Sequence, residues 1–432
     1  MFRLIFFFPL FFLSIWNLNF SKNKATSPSQ EITICNTSVQ NSFSKYSSNT
    51  DQKEVKGIEI PFENDPNKTY SSPLLANTSN GEIMISWTEK DEKGIVSFCV
   101  AFSKNKGETF SKKNVIFSGT GIGNSRMMRA KVLSKRNGGF VAIFANREES
   151  QGSSSGRGGR SSNIVFCESK DGGKTWSQPA NVDSDPKKGI VRGFFDAVVM
   201  TNDEIAVSYL KDVANSTKRE ERDLRLVLSK NGIFQPERLI DPVVCDCCPI
   251  NFMIGNDGSL NVIYRDNNDN IRDMAKMTSY DNGLTFSKPE IIFNDKWEIN
   301  GCPHNGAVST PDGNSGLVSW FSGSDQEMGI RLTSLNGKKI FVLDDATARN
   351  QMLVKMPKSS VLLWEQNKDD DNLSSIALRT IVDGKSSETI WVENSANSNG
   401  ITGLNAGDFM LIASESIQSD KKNKIKISKI RI

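Results

Sequence analysis

The stretch from Ser169 to Ser177 reads SKDGGKTWS and lies directly after an apolar, strand-like run. Each residue type has a local reason to be there. An Asp side chain can accept hydrogen bonds from the amides of its own turn, Gly tolerates a positive φ, and Trp can pack between two sheets. The stretch is therefore typical of a tight hairpin whose aromatic end is anchored in a core. Related copies stand at residues 103–111, 279–287 and, in a shortened form, 229–234.

A longer repeat surrounds these hairpins. Short runs of β-branched and aromatic residues alternate with period two, and no long stretch shows helical periodicity with caps. Each unit ends its second run on an aromatic residue, and these recur every 44 to 65 positions, at Trp87, Phe144, Tyr209, Tyr264, Trp320 and Trp364. Repeats of this length, each about four short strands, predict an all-β fold of the β-propeller type, in which radial repetition protects the strand edges.

The number of blades follows from the inner strands. Seven candidate inner strands begin near residues 70, 127, 194, 248, 303, 346 and 401, which favours seven blades over six. The last unit is incomplete, since it ends with a strand from Lys424 to Ile432. We therefore expect a strand from the N-terminal side, within Val55 to Phe62, to complete the final blade. The propeller itself is predicted to span residues 68–432.

The hairpin motifs resemble the Asp-boxes of sialidase-like (BNR-repeat) propellers, and the resemblance covers roughly residues 70–432. It implies a structural role for the residues at the Asp position of each copy: Asn105, Asp171, Asn231 and Asp281. Sialidases of this superfamily bind the substrate carboxylate with three arginines, the first in an R-I-P motif on an early inner strand. The best match here is Ser71-Ser72-Pro73, with Ser71 at the arginine position. That replacement argues against ordinary exo-sialidase activity.

Other arginines could form a different anion site at the channel mouth. The candidates for substrate binding, together with one neighbouring carboxylate, are Arg126, Arg129, Arg192, Arg265, Arg272, Asp273 and Arg349. For any single arginine the alternative is a solvated or ion-paired side chain without a ligand. Tyr264 matches a family nucleophile by type, but it occupies the recurring aromatic position, which indicates core packing.

Asp196 stands at the head of an otherwise apolar inner strand, in the segment GFFDAVV. Desolvation there would favour the protonated form that a general acid needs. The alternative is a carboxylate whose oxygens accept hydrogen bonds from backbone amides at the start of the strand.

The most specific local feature is VCDCCP at residues 244–249, followed by GCPHNG at residues 301–306. Both segments fall where an inner strand begins, so their side chains should be neighbours beside the channel. We call Cys245, Cys247, Cys248 and Cys302 the cysteine cluster. Three interpretations remain open: disulfides such as Cys245–Cys302 with a vicinal Cys247–Cys248 pair, a Zn or Cu site that includes His304, or a reactive thiol with His304 as its catalytic base. No cofactor is otherwise expected.

Composition limits the other classes of function. The chain has 53 basic and 50 acidic residues, a formal net charge of +3, so a nucleic-acid partner is not expected. It has one histidine, so ordinary multi-histidine metal sites are excluded. The basic start and the apolar run from Leu4 to Trp16 predict a signal peptide or N-terminal anchor within residues 1–20, and a polar linker within residues 21–67. We therefore expect an exported protein, periplasmic, secreted or at the cell surface, which contacts a membrane only if that segment is retained.

Two functional hypotheses follow. In the first, the propeller binds or hydrolyses a glycan or another small anionic substrate at the channel mouth, with arginines in binding and Asp196 or His304 in catalysis. In the second, it is a non-catalytic binding or adhesion protein whose cysteine cluster is structural. The sequence does not determine an oligomeric state.

Overall fold

Short apolar runs separated by Asn, Asp and Gly turns form hairpins, and successive hairpins pair in chain order. The computed structural model describes residues 53–148, 161–184, 190–213, 221–368 and 373–432. Within these ranges the strands form seven small, mainly antiparallel sheets, the blades of a propeller. The predicted all-β, seven-bladed architecture is confirmed.

Two short strands precede the first blade, β1 (Glu54–Val55) and β2 (Ile58–Ile60). Blade 1 consists of β3 (Thr69–Asn77), β4 (Ile83–Lys90), β5 (Val96–Ser103) and β6 (Asn114–Gly119). After a short 3-10 helix, Arg126–Met128, blade 2 consists of β7 (Lys131–Ser134), β8 (Phe140–Glu148), β9 (Ser161–Ser169) and β10 (Ala180–Asn181).

Blade 3 consists of β11 (Arg192–Val199), β12 (Ile205–Asp212), β13 (Glu221–Lys230), β14 (Ile233–Phe234) and β15 (Arg238–Cys245). Blade 4 consists of β16 (Asn251–Ile254), β17 (Leu260–Arg265), β18 (Met274–Ser279) and β19 (Glu290–Ile291). Blade 5 consists of β20 (Val308–Thr310), β21 (Leu317–Ser322), β22 (Gly329–Ser334) and β23 (Lys339–Leu343).

Blade 6 consists of β24 (Arg349–Lys355), β25 (Ser360–Asn367), β26 (Ser374–Val382), β27 (Lys385–Ser386) and β28 (Ile390–Val392). Blade 7 consists of β29 (Ser398–Asn405), β30 (Phe409–Ile417) and β31 (Asn423–Arg431). The first strand of each blade is the innermost one: β29 contacts β24 and β3, and β16 contacts β11 and β20. Each inner strand begins within five residues of its predicted start.

The ring is closed by the N-terminal strands. β2 pairs antiparallel with β31 and supplies the fourth strand of blade 7, with Ile60 opposite Ile427. The Asn64 side chain reinforces this closure, because its amide donates to the Ile425 carbonyl (2.9 Å) and its oxygen accepts from the Ile425 amide (2.8 Å). The strand β2 lies within the segment from Val55 to Phe62 that was expected to complete the final blade. The short strand β1 in addition pairs parallel with β28 and extends blade 6.

The core consists of apolar layers between neighbouring blades. One layer joins Tyr70, Ile85 and Trp87 of blade 1 to Leu411 and Ile427 of blade 7. The recurring aromatic residues are all buried in such layers. The polar groups of the Tyr and Trp side chains donate hydrogen bonds, as buried Tyr and Trp require. Tyr209 donates to Glu237, Tyr264 to Asp241, Trp320 to Asp295 and Trp364 to Gln366.

The Asp-box hairpins have the expected internal hydrogen bonds. Asp171 accepts from the amide and hydroxyl of Thr175, at 2.9 and 2.6 Å, and the Ser169 hydroxyl accepts from the Gly173 amide. Asp281 repeats these contacts, and its hydrogen bonds with Thr285 hold the pKa of that carboxyl down to about 2. Asn105 also accepts from the Thr109 amide, at 3.0 Å, but its own amide group donates to the Thr109 hydroxyl, at 2.9 Å.

The shortened fourth copy holds its turn differently. Its Asn231 adopts a left-handed conformation with φ of 53°. The Ser229 hydroxyl donates to Glu204 of the same blade, and it accepts from the Ile205 amide.

Each complete Asp-box also packs on the preceding blade, at its second glycine position. A Cβ atom on Gly173 would lie 2.7 Å from the ring of Phe102, and one on Gly107 would lie 2.2 Å from Leu411. The glycine is needed both for its positive φ and for this close approach.

The predicted residues 1–20 and most of the linker lie outside the described residues. Among the residues that are described, no helix is long and apolar enough to span a membrane.

Candidate functional site: the mouth of the central channel

Four inner strands are interrupted near their heads by an irregular pair with one residue at positive φ. These residues are Ser72 (57°), Phe194 (53°), Asn350 (53°) and Gly400 (60°). A bulge of this kind bends the strand and redirects the side chains beside it. Three of the four residues are not glycine, and such backbone strain is typically retained at functional sites. The bulges lie at one end of the ring and shape the channel mouth.

A cavity of about 240 Å3 lies at this mouth, and we call it the channel cavity. It collects residues from the inner strands, or the segments just before them, of all seven blades. Those able to make polar contacts with a ligand include Arg126, Arg129, Lys131, Asp196, His304 and Asn350. Of the residues predicted for the site, the structure therefore brings four together here: Arg126, Arg129, Asp196 and His304.

A buried glutamate, Glu365, organises two of the arginines. Its Oε2 atom lies 3.6 Å from Nη1 of Arg126 and 3.7 Å from Nε of Arg349, and it accepts a 2.7 Å hydrogen bond from Asn350. Burial raises the pKa of the Glu365 carboxyl, while the Asn350 amide and the two guanidinium groups act in the opposite direction. The arginine side chains themselves remain 41% and 42% exposed. The two guanidinium groups therefore have Glu365 on one side and are open to solvent on the other.

Arg129 is bonded to the inner strand of blade 7. Its two Nη atoms donate to the carbonyls of Ile401 and Gly400, each at 3.3 Å, beside the blade 7 bulge. Burial lowers the pKa of its guanidinium, against the attraction of Glu415 and Glu365. Its buried Nε has no hydrogen-bond partner among the described residues.

Asp196 is fully engaged by its neighbours. Its carboxylate accepts 2.7 Å hydrogen bonds from the amides of Phe252 and Ala197 and pairs with Lys131. The geometry therefore matches the alternative interpretation from the sequence, a carboxylate bonded to strand amides, better than that of a general acid.

Arg265 and Arg272 lie outside the channel cavity and are buried. The Arg265 guanidinium donates to the carbonyls of Arg272 (2.6 Å), Asn305 and Phe321, and it stacks over Trp297 at 4.9 Å. Arg272 donates to the side chain of Asn270.

Two other predicted side chains are also committed to the protein. The Asp273 carboxylate accepts from the amides of Lys296 and Trp297. Arg192 is paired with Asp183 at 2.6 Å. Like Arg265 and Arg272, these side chains fix loops at the edge of the site. Their donors and acceptors are bonded to other groups of the protein.

The cysteine cluster lies beside the channel cavity, between blades 3, 4 and 5. The sulfurs of Cys245, Cys247 and Cys248 lie within 4.8 Å of one another, with Cys245 and Cys248 at 3.3 Å. The sulfur of Cys302 instead lies within 4.8 Å of the Cys247 sulfur and of a ring nitrogen of His304. None of the described cysteines forms a disulfide, and the Cys245–Cys248 contact is neither of the pairs named in the sequence analysis.

The three buried thiols influence one another electrostatically. Hydrogen bonds from Cys247 and Cys248 lower the pKa of Cys245, because they stabilise its thiolate. Burial raises the pKa of Cys248 and of Cys302. His304 is exposed, has a φ of 52°, and lines the channel cavity while its ring reaches the cluster. It therefore connects the cluster to the channel.

Three charged residues of the site were not expected from the sequence: Lys131, Glu365 and Glu415. Glu365 and Glu415 follow the apolar run of a second strand, at or just beyond the recurring aromatic position, and both are nearly inaccessible to solvent. A carboxylate that ends an otherwise apolar run is the signal by which both could have been found. Lys131 carries no such signal, since it becomes notable only through its contact with Asp196.

Comparison with known proteins agrees with this architecture. The model of the BNR repeat-like domain matches residues 143–369, more than half of the chain. A search of curated protein sequences gave no significant match.

Several solved structures share the fold at low identity. A protein of unknown function from Dyadobacter fermentans is 11% identical, with a TM-score of 0.51 over 88% of this chain and 99% of its own. A polysaccharide lyase of family PL25, an ulvan lyase, is 12% identical, with a TM-score of 0.52 over 84% and 94%. The Hadza microbial sialidase Hz136 is 16% identical, with a TM-score of 0.46 over 69% and 63%. The sequence match and the seven-bladed fold lead to one assignment: the chain belongs to the family of BNR repeat-like domain proteins.

Proposed function

We propose that this propeller binds an anionic glycan at the channel mouth. The observation that carries the proposal is the convergence of Arg126 and Arg129, which directly precede blade 2, with Arg349 of blade 6 around the buried Glu365. Arginine suits this role because its planar guanidinium can contact a carboxylate or sulfate with two donors.

The partly exposed guanidinium groups of Arg126 and Arg349 favour an anionic ligand at this location. Glu365 is buried, and its oxygens also accept hydrogen bonds from Asn350 and from the Ile401 amide. Its distances of 3.6 and 3.7 Å to the guanidinium nitrogens exceed those of direct hydrogen bonds. An anionic group in the cavity could therefore form shorter contacts with the exposed faces of Arg126 and Arg349 than the glutamate does.

Among anionic ligands, an acidic carbohydrate has the best support. The cavity is also lined by the amide side chains of Asn251, Asn305, Asn350 and Gln351, the type of group that hydrogen-bonds sugar hydroxyls. At the level of the fold, the similarity to an ulvan lyase, a polysaccharide-degrading propeller, is consistent with a glycan ligand.

Binding without hydrolysis is the form of the proposal that the geometry favours. The nearest candidate acid, Asp196, is paired with Lys131 and accepts two amide hydrogen bonds, so its oxygens are already bonded to other groups of the protein. Ser71 stands where the resemblance would place a first arginine. Product release from the bound glycan would favour hydrolysis instead, and Asp196→Asn and His304→Asn would then identify the catalytic group.

The test compares acidic and neutral oligosaccharides by calorimetry with the purified protein. We expect binding of uronate-containing or sulfated oligosaccharides that weakens with added salt, and no binding of matched neutral ones. Arg126→Gln and Arg349→Gln should each weaken binding by about tenfold, equivalent to roughly 1.4 kcal/mol. Arg136→Gln, in the turn at the far end of the same inner strand as Lys131, is the matched control and should leave affinity unchanged. Equal affinities for the neutral and acidic ligands would contradict the proposal.

Export is part of the proposal, as the sequence of residues 1–20 suggests. Fractionation of cells that produce the full chain, with mass spectrometry of its N-terminus, tests it. Retention of the whole protein in the cytoplasm would exclude it.

A further inference from the structure

The cysteine cluster has the arrangement of a metal site. Two groups of potential ligands share Cys247: the sulfurs of Cys245, Cys247 and Cys248, and the Cys247 and Cys302 sulfurs with a ring nitrogen of His304. Within each group every pair of ligand atoms lies within 4.8 Å. A tetrahedral ion with metal–sulfur bonds near 2.3 Å separates its sulfur ligands by roughly 3.8 Å. The observed spacings therefore require only small movements to accept an ion.

The backbone around the cluster is fixed before any ion binds. Arg222 donates to the Asp246 carbonyl at 2.9 Å, and its guanidinium lies over the ring of Phe194. Phe194 in turn packs against the three buried sulfurs, and its carbonyl accepts from the Ile250 amide. Ligands held this way lose little conformational freedom on binding, which strengthens binding.

The burial of the cysteine cluster favours a bound cation. Cys245, Cys247 and Cys248 are each at most 3% exposed, and one thiolate among them would be a buried negative charge. Asp246 adds a second nearby anion, since its oxygens lie 3.6 and 3.9 Å from the Cys302 sulfur. A cation at the centre would compensate the negative charge of thiolate ligands in this buried position.

We propose that the cysteine cluster binds a soft d10 cation, Zn2+ or Cu+, through the sulfurs of Cys245, Cys247 and Cys248, with a further ligand from Cys302 or His304. Thiolate and imidazole ligands select these two ions over hard cations such as Mg2+ or Ca2+. Because His304 and Pro249 also line the channel cavity, the ion would lie at the edge of the glycan site. The metal site does not depend on the glycan proposal, since its ligands are separate from the three arginines.

The experiment uses the full chain. Protein isolated without added reductant is denatured for thiol titration and analysed for metals by mass spectrometry. A second sample is reduced, stripped of metal and titrated with Zn2+ against a chromophoric chelator, with Cu+ against a copper-specific chelator, and with Co2+ as a spectroscopic probe. We expect stoichiometric binding of Zn2+ or Cu+, and a sulfur-to-cobalt charge-transfer band with the visible spectrum of a tetrahedral site.

Three variants locate the ion. Cys302→Ser and His304→Asn change exposed side chains, so the fold should persist, and at least one should weaken metal binding by more than about tenfold. Cys247→Ser should abolish the cobalt spectrum. Cys99→Ala removes a buried cysteine of blade 1 outside the cluster and should change neither affinity nor spectrum.

Two outcomes would overturn the proposal. One is protein isolated without reductant that carries no metal and has four fewer titratable thiols than its cysteine count, which would indicate two disulfides. The other is reduced, folded protein that binds neither ion stoichiometrically. Either result would leave the measurements of glycan binding intact, so the two proposals fail separately.

Discussion

The backbone amide of Ser72 in blade 1 donates a 2.8 Å hydrogen bond to the carboxylate of Glu415 in blade 7. Glu365 has the same relationship to the next blade, since its carboxylate accepts from the Ile401 amide at 3.4 Å. In both cases a buried glutamate from the second strand of one blade holds the bulged inner strand of the following blade. The channel mouth is therefore shaped by carboxylates that belong to the neighbouring blade.

Replacing Glu415 should loosen the junction between blades 7 and 1. We expect Glu415→Ala to lower the free energy of unfolding by about 2 kcal/mol, because the buried Ser72 amide loses a charged acceptor. Glu415→Gln keeps an acceptor oxygen and should cost less. Chemical denaturation measures both. Glu92→Ala, 72% exposed in a turn of blade 1, is the control. Equal midpoints for Glu415→Ala and Glu92→Ala would show that the contact does not stabilise the fold.

Neighbouring glycines in one Asp-box separate backbone strain from steric contact. Gly172 and Gly173 both have positive φ, 76° and 81°, but an added Cβ meets nothing within 4 Å at Gly172 and the ring of Phe102 at Gly173. Gly172→Ala should cost about 1 kcal/mol, for the left-handed conformation alone. Gly173→Ala should cost about 1–3 kcal/mol more, from overpacking between blades 1 and 2. Indistinguishable unfolding midpoints for the pair would refute the inter-blade contact.

A buried ion pair joins Arg331 of blade 5 to Asp295 in the segment between blades 4 and 5, and both side chains are almost inaccessible to solvent. Asp295 also accepts a 2.7 Å hydrogen bond from Trp320. Arg331→Met leaves a buried carboxylate without its cation and should destabilise the protein by about 3–5 kcal/mol. The double variant with Asp295→Asn removes both charges and should recover part of the loss. If the double variant is no more stable than the single one, lost packing rather than lost charge compensation is responsible.

Asp241 should make stability depend on pH. Burial raises the pKa of its carboxyl to about 6, against the hydrogen bond donated by Tyr264. Between the ordinary value near 3.9 and about 6, the folded state binds more protons than the unfolded state, so stability falls as pH rises through this window. Asp241→Asn keeps an acceptor for Tyr264 and should flatten this part of a thermal-midpoint profile. Asp408→Asn, in an exposed turn, should leave the profile unchanged, and a persistent slope in Asp241→Asn would assign the effect to another group.

The sequence predicted the features that depend on local pattern. Alternating runs repeat in every unit, Asp-box turns recur in four units, and aromatic residues such as Trp87 and Trp364 recur in six, so blade number, inner strands and the closing strand could be derived. Of the site residues suggested by local chemistry, Arg126, Arg129, Asp196 and His304 line one cavity.

Pairing between blades could not be predicted in the same way. Whether Asp196 faces solvent or Lys131, and whether Arg265 faces a ligand or the carbonyl of Asn305, depends on residues far apart in sequence. Arginines in turns look alike in sequence whether they donate to a substrate or to a neighbouring loop. Only the three-dimensional arrangement of the blades distinguishes the two.

The closure of blade 7 has a consequence for how the molecule folds. The two residues bonded in that closure, Asn64 and Ile425, are 361 positions apart. Joining ends at such a separation carries an entropic cost on the order of 5 kcal/mol, which must be met before the contacts of the last blade form. Contacts of such long range slow folding. During synthesis the earlier blades can form as local hairpins. The strand edges of blade 7 stay unpaired until β31 has been synthesised. The chain is therefore most prone to aggregation in the interval before β31 pairs with β2.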